Sequence, residues 1–472
     1  MKLGLVFVGP LAIGLLLTIA GCTAEEAGDA PATESRLEEK ETETSTPPAK
    51  ERQAAQLAQM MDVARAGTSW HGALDWAGLT QRGQEEVRKG DGSDAAFFGA
   101  LFHTFMAIPE GHQGVSLAQG CGRVVPYGNY SRRGVCGRPH TRGIVVTNAR
   151  AGNSLGLAKG DIVVGEQLLD TLAERPMCTA SRPSVAFAHA NVTATFGDLV
   201  RPGETLTIES PDGARRDVVV PALSPTVDGA FLDCEDPFGR PRGLVADASI
   251  RPDGIAVIRV PSWINMTEAF PEGGDPALFE AYKERFEVGL QAAFDSVKSA
   301  PGIVWDMRGN GGGLTQVGLD VASGFPGAEA GELSYCNQRI FGSDPPAFDP
   351  TRYATYALAP GGRFAYAGKV AVITEGLNYS AADYFPLAVK TKTKAVLVGA
   401  PTAGAFGAAS TTQAFDGPPG FSVTIDMNRC SSADDQPLEG RSVTPHVAVG
   451  YDAKDLAAGR DTVLERAVAE VR

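Results

Sequence analysis

The sequence predicts a mixed α/β, multidomain protein: N-terminal helices, a small β-rich domain, and a C-terminal core whose mainly parallel sheet is flanked by helices. Three observations carry this. The 472 residues suffice for two or three domains. In the second half, short β-branched runs alternate with segments of helical period, the pattern of parallel strands joined by crossover helices. Glycine and proline are plentiful, 56 and 31 residues, which favours turn-rich α/β or β structure over a helical bundle.

The chain is 43% hydrophobic and 21% charged, enough apolar content for a large core. Its net charge of −14 argues against nucleic acid as a partner and against a basic membrane-binding patch. At the N-terminus, Lys2 precedes an apolar run from Leu3 to Ile19, which ends in Ala20-Gly21-Cys22. The run is short for a spanning helix. It reads as a secretory signal, residues 1–21, with the pattern of a bacterial lipobox that makes Cys22 the lipidated first residue. Thr23 follows where inner-membrane retention has aspartate. By resemblance, then, the expected location is the cell envelope, lipid-anchored at the outer membrane and facing the periplasm. The lipid would be the only membrane contact.

Residues 22–52 are rich in Glu, Thr, Ala and Pro and bury too little to order themselves, so they are expected to form a disordered tether. Residues 53–111 read as helices. Leu57, Met60, Met61 and Val63 lie near helical spacing, and Ser93-Asp94 opens a helix whose aromatic stripe runs from Phe97 to Phe105. Residues 112–225 alternate strands and turns: Gly143–Thr147, Ile162–Gly165, Val192–Thr195, Glu204–Glu209 and Val218–Val220, with Asp170–Ala190 read as an insertion. Residues 226–472 hold the core. Gly254–Val260 and Gly302–Asp306 are strands around a long amphipathic helix, Pro276–Ser299.

The chemistry gathers in three stretches of that core. A glycine-rich loop, Met307–Gly313, follows a strand. Ser380 stands at a turn between the strand at Val370–Ile373 and a helix opened by Ala381, Ala382 and Asp383. Val398–Gly404 is a strand and loop. Ligands of parallel sheets gather at the carboxyl ends of strands, where these stretches fall. A serine before a helix is most often an N-cap; exposed at such a turn it is also a candidate nucleophile, with backbone N–H groups facing a developing oxyanion. The glycine loop lacks Gly-Lys-Ser/Thr and a full Gly-x-Gly-x-x-Gly, so it is not read as a phosphate loop.

Six cysteines remain beyond Cys22: Cys121, Cys136, Cys178, Cys234, Cys336 and Cys430. An even number in an exported chain suggests disulfides. Proximity favours Cys121–Cys136, with Cys178–Cys234 and Cys336–Cys430 as further pairs. No Cys-x-x-Cys or His-x-x-x-His spacing points to a metal site, and no metal or cofactor is expected.

From Gln53 onward the chain resembles the C-terminal processing (tail-specific) serine protease family. Asp306-x-Arg308-x-Asn310-x-Gly312-Gly313 is similar to the family's Asp-Leu-Arg-x-Asn-x-Gly-Gly loop. Ser380-Ala-Ala-Asp383 is similar to its Ser-Ala-Ser-Glu nucleophile segment, and Val398-Gly-Ala-Pro-Thr-Ala-Gly404 to its Val-Gly-Glu-Pro-Thr-x-Gly loop. Gly156–Asp161 and Val192–Val220 resemble parts of a circularly permuted PDZ domain, which would offer a sheet edge to an extended peptide. In the lysine-dependent branch of the family, the residue after Pro-Thr-x-Gly is the general base. Here it is Ala405, so that dyad is impossible; Lys390, Lys392 and Lys394 sit in a polar turn.

The histidine branch, which resembles the tricorn protease core, takes its base from just after the N-terminal helices. Glu110-Gly-His112 matches by position, and Glu439, before Gly-Arg-Ser-Val-Thr-Pro445, matches the glutamate that orients the histidine. Tricorn's serine beside the histidine is replaced by Gly111. The resemblance implies Ser380 as nucleophile, His112 as base, Glu439 as orienter, and the N–H groups of Gly312 and Ala381 as an oxyanion hole. His446 is a rival base. The implied activity is a serine endopeptidase that cleaves exported polypeptides bearing a free or unstructured C-terminus. Two other readings stand beside it: an inactive relative that binds peptides or hydrophobic ligands, and an envelope scaffold using only the PDZ-like domain.

Overall fold

In a computed structural model, the described residues are 48–70, 72–117, 130–178, 181–223, 231–238, 240, 245–264, 275–407, 410–415 and 420–472. The signal segment, Cys22, most of the tether and Cys121 lie outside them. No helix among the described residues is long and apolar enough to cross a membrane.

Three helices open the structure: Ala49–Gly67, Trp76–Lys89 and Asp94–Met106. The first begins inside the stretch read as tether. The third is capped as expected, Ser93 accepting from the Ala96 amide at 3.2 Å, and its phenylalanine stripe is buried. Strand Gly114–Leu117 follows. It was expected within the small β domain, but it pairs antiparallel with Phe421–Asp426, which also pairs with Ser410–Phe415. Gln113 Nε2 donates to the carbonyls of Phe105 and Ile108, satisfying the end of the third helix. The loop carrying His112 is thereby strung between a helix end and a strand of the core.

The small domain is a five-stranded antiparallel sheet in chain order: Val135–His140, Gly143–Ala149, Ile162–Val164, Thr205–Glu209 and Arg215–Val219. Val192–Thr195, read as a strand, is instead the end of helix Val185–Ala194 and the residue after it. Ser184 caps that helix through the Phe187 amide, and Val192, Thr193 and Ala194 are all buried, so tertiary burial overrides the β-branched preference.

The core sheet has six strands, in the order Val447–Ala448, Val396–Gly399, Lys369–Thr374, Gly302–Asp306, Ala256–Arg259, Asp247–Ile250. All pairs are parallel except the last. Side chains alternate across it. Ile258, Ile303, Trp305, Val370, Val372 and Leu397 join the layer of helices Pro276–Val297, Thr315–Ser323 and Ala381–Lys392. Val257, Val304, Ala371, Ile373 and Val398 meet Val463, Ala467 and Val468 of the C-terminal helix Thr462–Val471. The fold is thus mixed α/β, as expected. A further sheet, Phe348–Leu358, Gly331–Arg339 and Asn428–Ser432, was not read from the sequence.

Cys336–Cys430 forms as expected, between directly paired residues of two strands. Cys136, however, bonds to Cys234, across 98 positions, which corrects both other pairings. The reason is topological: Val135–His140 is an edge strand, and the Cys234 segment lies along it. Cys178 is also disulfide-bonded.

Candidate active site

Strand Lys369–Thr374 ends at a turn closed by Asn378. The Asn378 side chain accepts from Glu375 N–H at 2.8 Å and donates to the carbonyls of Met307 and Asn310. The Glu375 carboxylate takes the Gly309 amide at 2.7 Å. The glycine loop and the serine turn are therefore stitched together, and the loop's amides serve the protein rather than a phosphate. Deeper down, Asp306 and Arg308 pair at 2.6 Å, with Arg240 and Asp461 beside them. The guanidiniums hold Asp306 ionised well below the usual carboxylate range despite its burial. The charged residues of this loop, Asp306 and Arg308, are scaffold, not reactants.

Ser380 has φ 61° and ψ −125°, a conformation that costs a non-glycine residue strain. Its side chain makes no cap hydrogen bond, so the N-cap reading does not hold. Gly312 approaches it closely, at φ 109°: a Cβ there would sit 2.8 Å from Ser380 Cβ and 3.2 Å from the Ala381 amide. Only glycine permits this approach. The Gly312 amide, expected as an oxyanion donor, donates instead to Asn310 Oδ1 at 2.9 Å, whereas the Ala381 amide opens the helix and has no carbonyl within it to pair with.

His112 is 8% exposed and lies against the residue preceding the serine: its ring is 4.6 Å from that of Tyr379, centroid to centroid. The Tyr379 hydroxyl donates to the carbonyl of Gly111, across 268 positions. Burial pushes the imidazole down to about 4, so it is neutral at pH 7. Its Nδ1 is buried without a partner.

Glu439 does not bond the imidazole as read from the sequence. One oxygen accepts from the Gly111 amide at 2.8 Å; the other accepts from Phe406 and Gly407 at 2.7 and 3.0 Å. With its oxygens occupied by backbone, it fixes the histidine loop rather than the ring. Glu110, Asp426 and Glu439 have oxygens within 4.8 Å of one another and are all buried. Burial pushes each carboxyl well up, and neighbouring carboxylates add to it. Asp383 accepts the amides of Gly404 and Ala405 at 2.8 and 2.9 Å and is raised by burial to about 7.

The alternatives fall away. His446 Nδ1 accepts the Leu397 amide at 2.9 Å, an edge-strand role. Lys390 is spent on Thr444. Sequence reading gave no role to Tyr379, Glu110 or Asp426. An aromatic residue directly before the motif serine was the available signal for the first; nothing local marked the other two.

A strained serine at a strand-to-helix turn, a glycine loop against it and a neutral histidine packed on the tyrosine that precedes it suit a serine-type peptidase site on an α/β core. Residues 254–449 match the model of peptidase family S41. Solved structures share the fold. Mature CPAF complexed with lactacystin is 15% identical with a TM-score of 0.57, the match covering 87% of this chain and 96% of that one. A mutant of CPAF aligns with a TM-score of 0.60 at 15% identity, covering 87% and 95%. No curated protein matches the sequence.

Proposed function

We propose that the chain is a lipid-anchored envelope endopeptidase, with Ser380 as nucleophile and His112 as general base. The observation that carries this is the Tyr379 bridge: the ring next to the serine contacts His112, and its hydroxyl holds the preceding carbonyl. His112 would take the Ser380 proton as Oγ attacks a peptide carbonyl, then return it to the leaving amine. The Ala381 amide would receive the oxyanion, a donor of a kind whose removal typically costs about 3 kcal/mol. Water would hydrolyse the acyl-enzyme by the same proton path. Glu439 acts as a positioning residue through the Gly111 amide. The five-stranded sheet beside helix Val185–Ala194 supports the PDZ-like reading and a polypeptide tail as substrate. The apolar N-terminus ending in Cys22 supports the anchor.

A fluorophosphonate probe tests this. The wild-type protein labels covalently at Ser380, and labelling is lost in Ser380→Ala and falls steeply in His112→Ala. Peptide cleavage that survives Ser380→Ala removes the assignment.

A further inference from the structure

An edge strand beside a helix is the geometry that accepts an extended peptide by strand addition. Here that place is the cleft between Val135–His140 and helix Val185–Ala194. The cleft is already filled by the chain itself. Leu232 and Cys234 pack with Cys136 of the strand and with Ala190 and Ala194 of the helix, and Cys234 is bonded to Cys136. Just upstream, Leu232 and Asp233 pair antiparallel with Ser131 and Tyr130. Arg138, on the same edge strand, donates to the carbonyls of Cys234, at 2.9 Å, and Glu235. A peptide seated here would have to displace all of this.

The filling segment also reaches the catalytic loops. Arg138 Nε donates to Glu375 at 2.8 Å, and the other oxygen of Glu375 holds the Gly309 amide. A Cβ on Gly309 would stand 3.2 Å from the Glu235 carbonyl. Occupancy of the cleft and the geometry of the glycine loop are thus linked by two consecutive contacts.

We infer that Leu232–Glu235 is an autoinhibitory strand, locked by Cys136–Cys234, and that the cleft receives a substrate tail only when that bond opens. Opening is thiol–disulfide exchange with a dithiol. The dithiol attacks one sulfur, the Cys136–Cys234 bond breaks, and the dithiol leaves as its own disulfide. Its two electrons and two protons remain on the protein as two thiols. The inference rests on the PDZ-like reading of the sheet and not on the identity of the catalytic base.

The test is fluorescence anisotropy with a short fluorescein-labelled peptide ending in Ala-Ala and a free carboxylate, its C-terminal amide serving as control. The full oxidised chain is compared with Cys136→Ser/Cys234→Ser. An acceptor open in about a tenth of molecules or fewer binds about tenfold more weakly or worse, so the double variant is expected to bind at least that much tighter. Should the double variant not fold, the wild-type protein under mild dithiothreitol, with alkylation mapping Cys136 and Cys234 as open, is expected to show the same gain. Equal binding by locked and opened protein overturns the inference, as does no binding by opened protein that still labels with fluorophosphonate. Tighter binding without Ser380 labelling in any form would instead count against the catalytic reading alone.

Discussion

Acidification is the sharpest perturbation of the proposed base. Burial moves His112 from 6.5 to about 4, a preference for the neutral ring of about 3 kcal/mol. The unfolded chain binds this proton from about pH 6.5 downward, the folded chain only near 4. Stability from this group is therefore full above pH 6.5 and is lost as the pH falls through 4. Activity follows the same group, because only the neutral ring accepts the serine proton. The second-order rate of fluorophosphonate inactivation should accordingly persist well below pH 6 and fall with a midpoint near 4. Asp383, raised to about 7, lies under the same loop and takes up its proton earlier. Any shallow step near pH 7 is its own and disappears in Asp383→Asn, leaving the limb near 4 unmoved. A single limb at 6.5, present in both proteins, would refute the buried-base reasoning.

Two further outcomes follow from the packing behind His112. In Gly111→Ala, the new Cβ would meet Ala405 Cβ at 2.3 Å and Glu439 Oε1 at 3.0 Å. Overpacking of this kind costs about 1–3 kcal/mol. The urea midpoint and the labelling rate should both drop, and Ala405→Gly in the same chain should restore part of each; no restoration would sink the account. Glu110 is raised by burial and by Asp426. Its stabilising contribution is full below its usual 4.5 and is lost as the pH rises through its elevated folded value. Glu110→Gln removes that component and should flatten the decline of the urea midpoint from acid to alkaline pH; an unchanged slope would argue against a raised Glu110 carboxyl.

The parts of the site that sequence disclosed are those set by local order. Asp306 to Gly313 and Val398 to Gly404 each span one strand end and one turn, Ser380 to Asp383 opens the helix after the turn from Lys369–Thr374, and parallel pairing of the three strands brings the turns to one edge. The β-branched run at Val370–Ile373 was equally legible as a buried strand, each face of which meets its own layer. What stayed hidden depends on partners distant in sequence. Cys136 lies fifteen positions from Cys121 in sequence, yet an edge strand decides its partner. Gly331–Arg339 and Phe348–Leu358 form a long hairpin with an irregular register and Pro350 within it, so no clean two-residue period announces it. For Glu439, sequence pointed to the imidazole and the structure gives backbone amides instead: motif position says nothing of which donors reach a carboxylate's lone pairs.

The two departures from the family pattern, Ala405 and Gly111, explain each other once their contact is known. Ala405 is fully buried, and the space above its Cβ is taken by the Gly111 backbone. A lysine at 405 would push its stem into the loop that carries His112, and a side chain at 111 would collide with Ala405. Lysine and histidine loop thus compete for one volume, and this chain fills it with the loop. Glu439 bonds the two sides together, taking the Gly111 amide on one oxygen and those of Phe406 and Gly407 on the other. On the proposed reading, with His112 as base, the lysine's place is taken by the histidine loop, and the small residues at 111 and 405 are the steric condition for it.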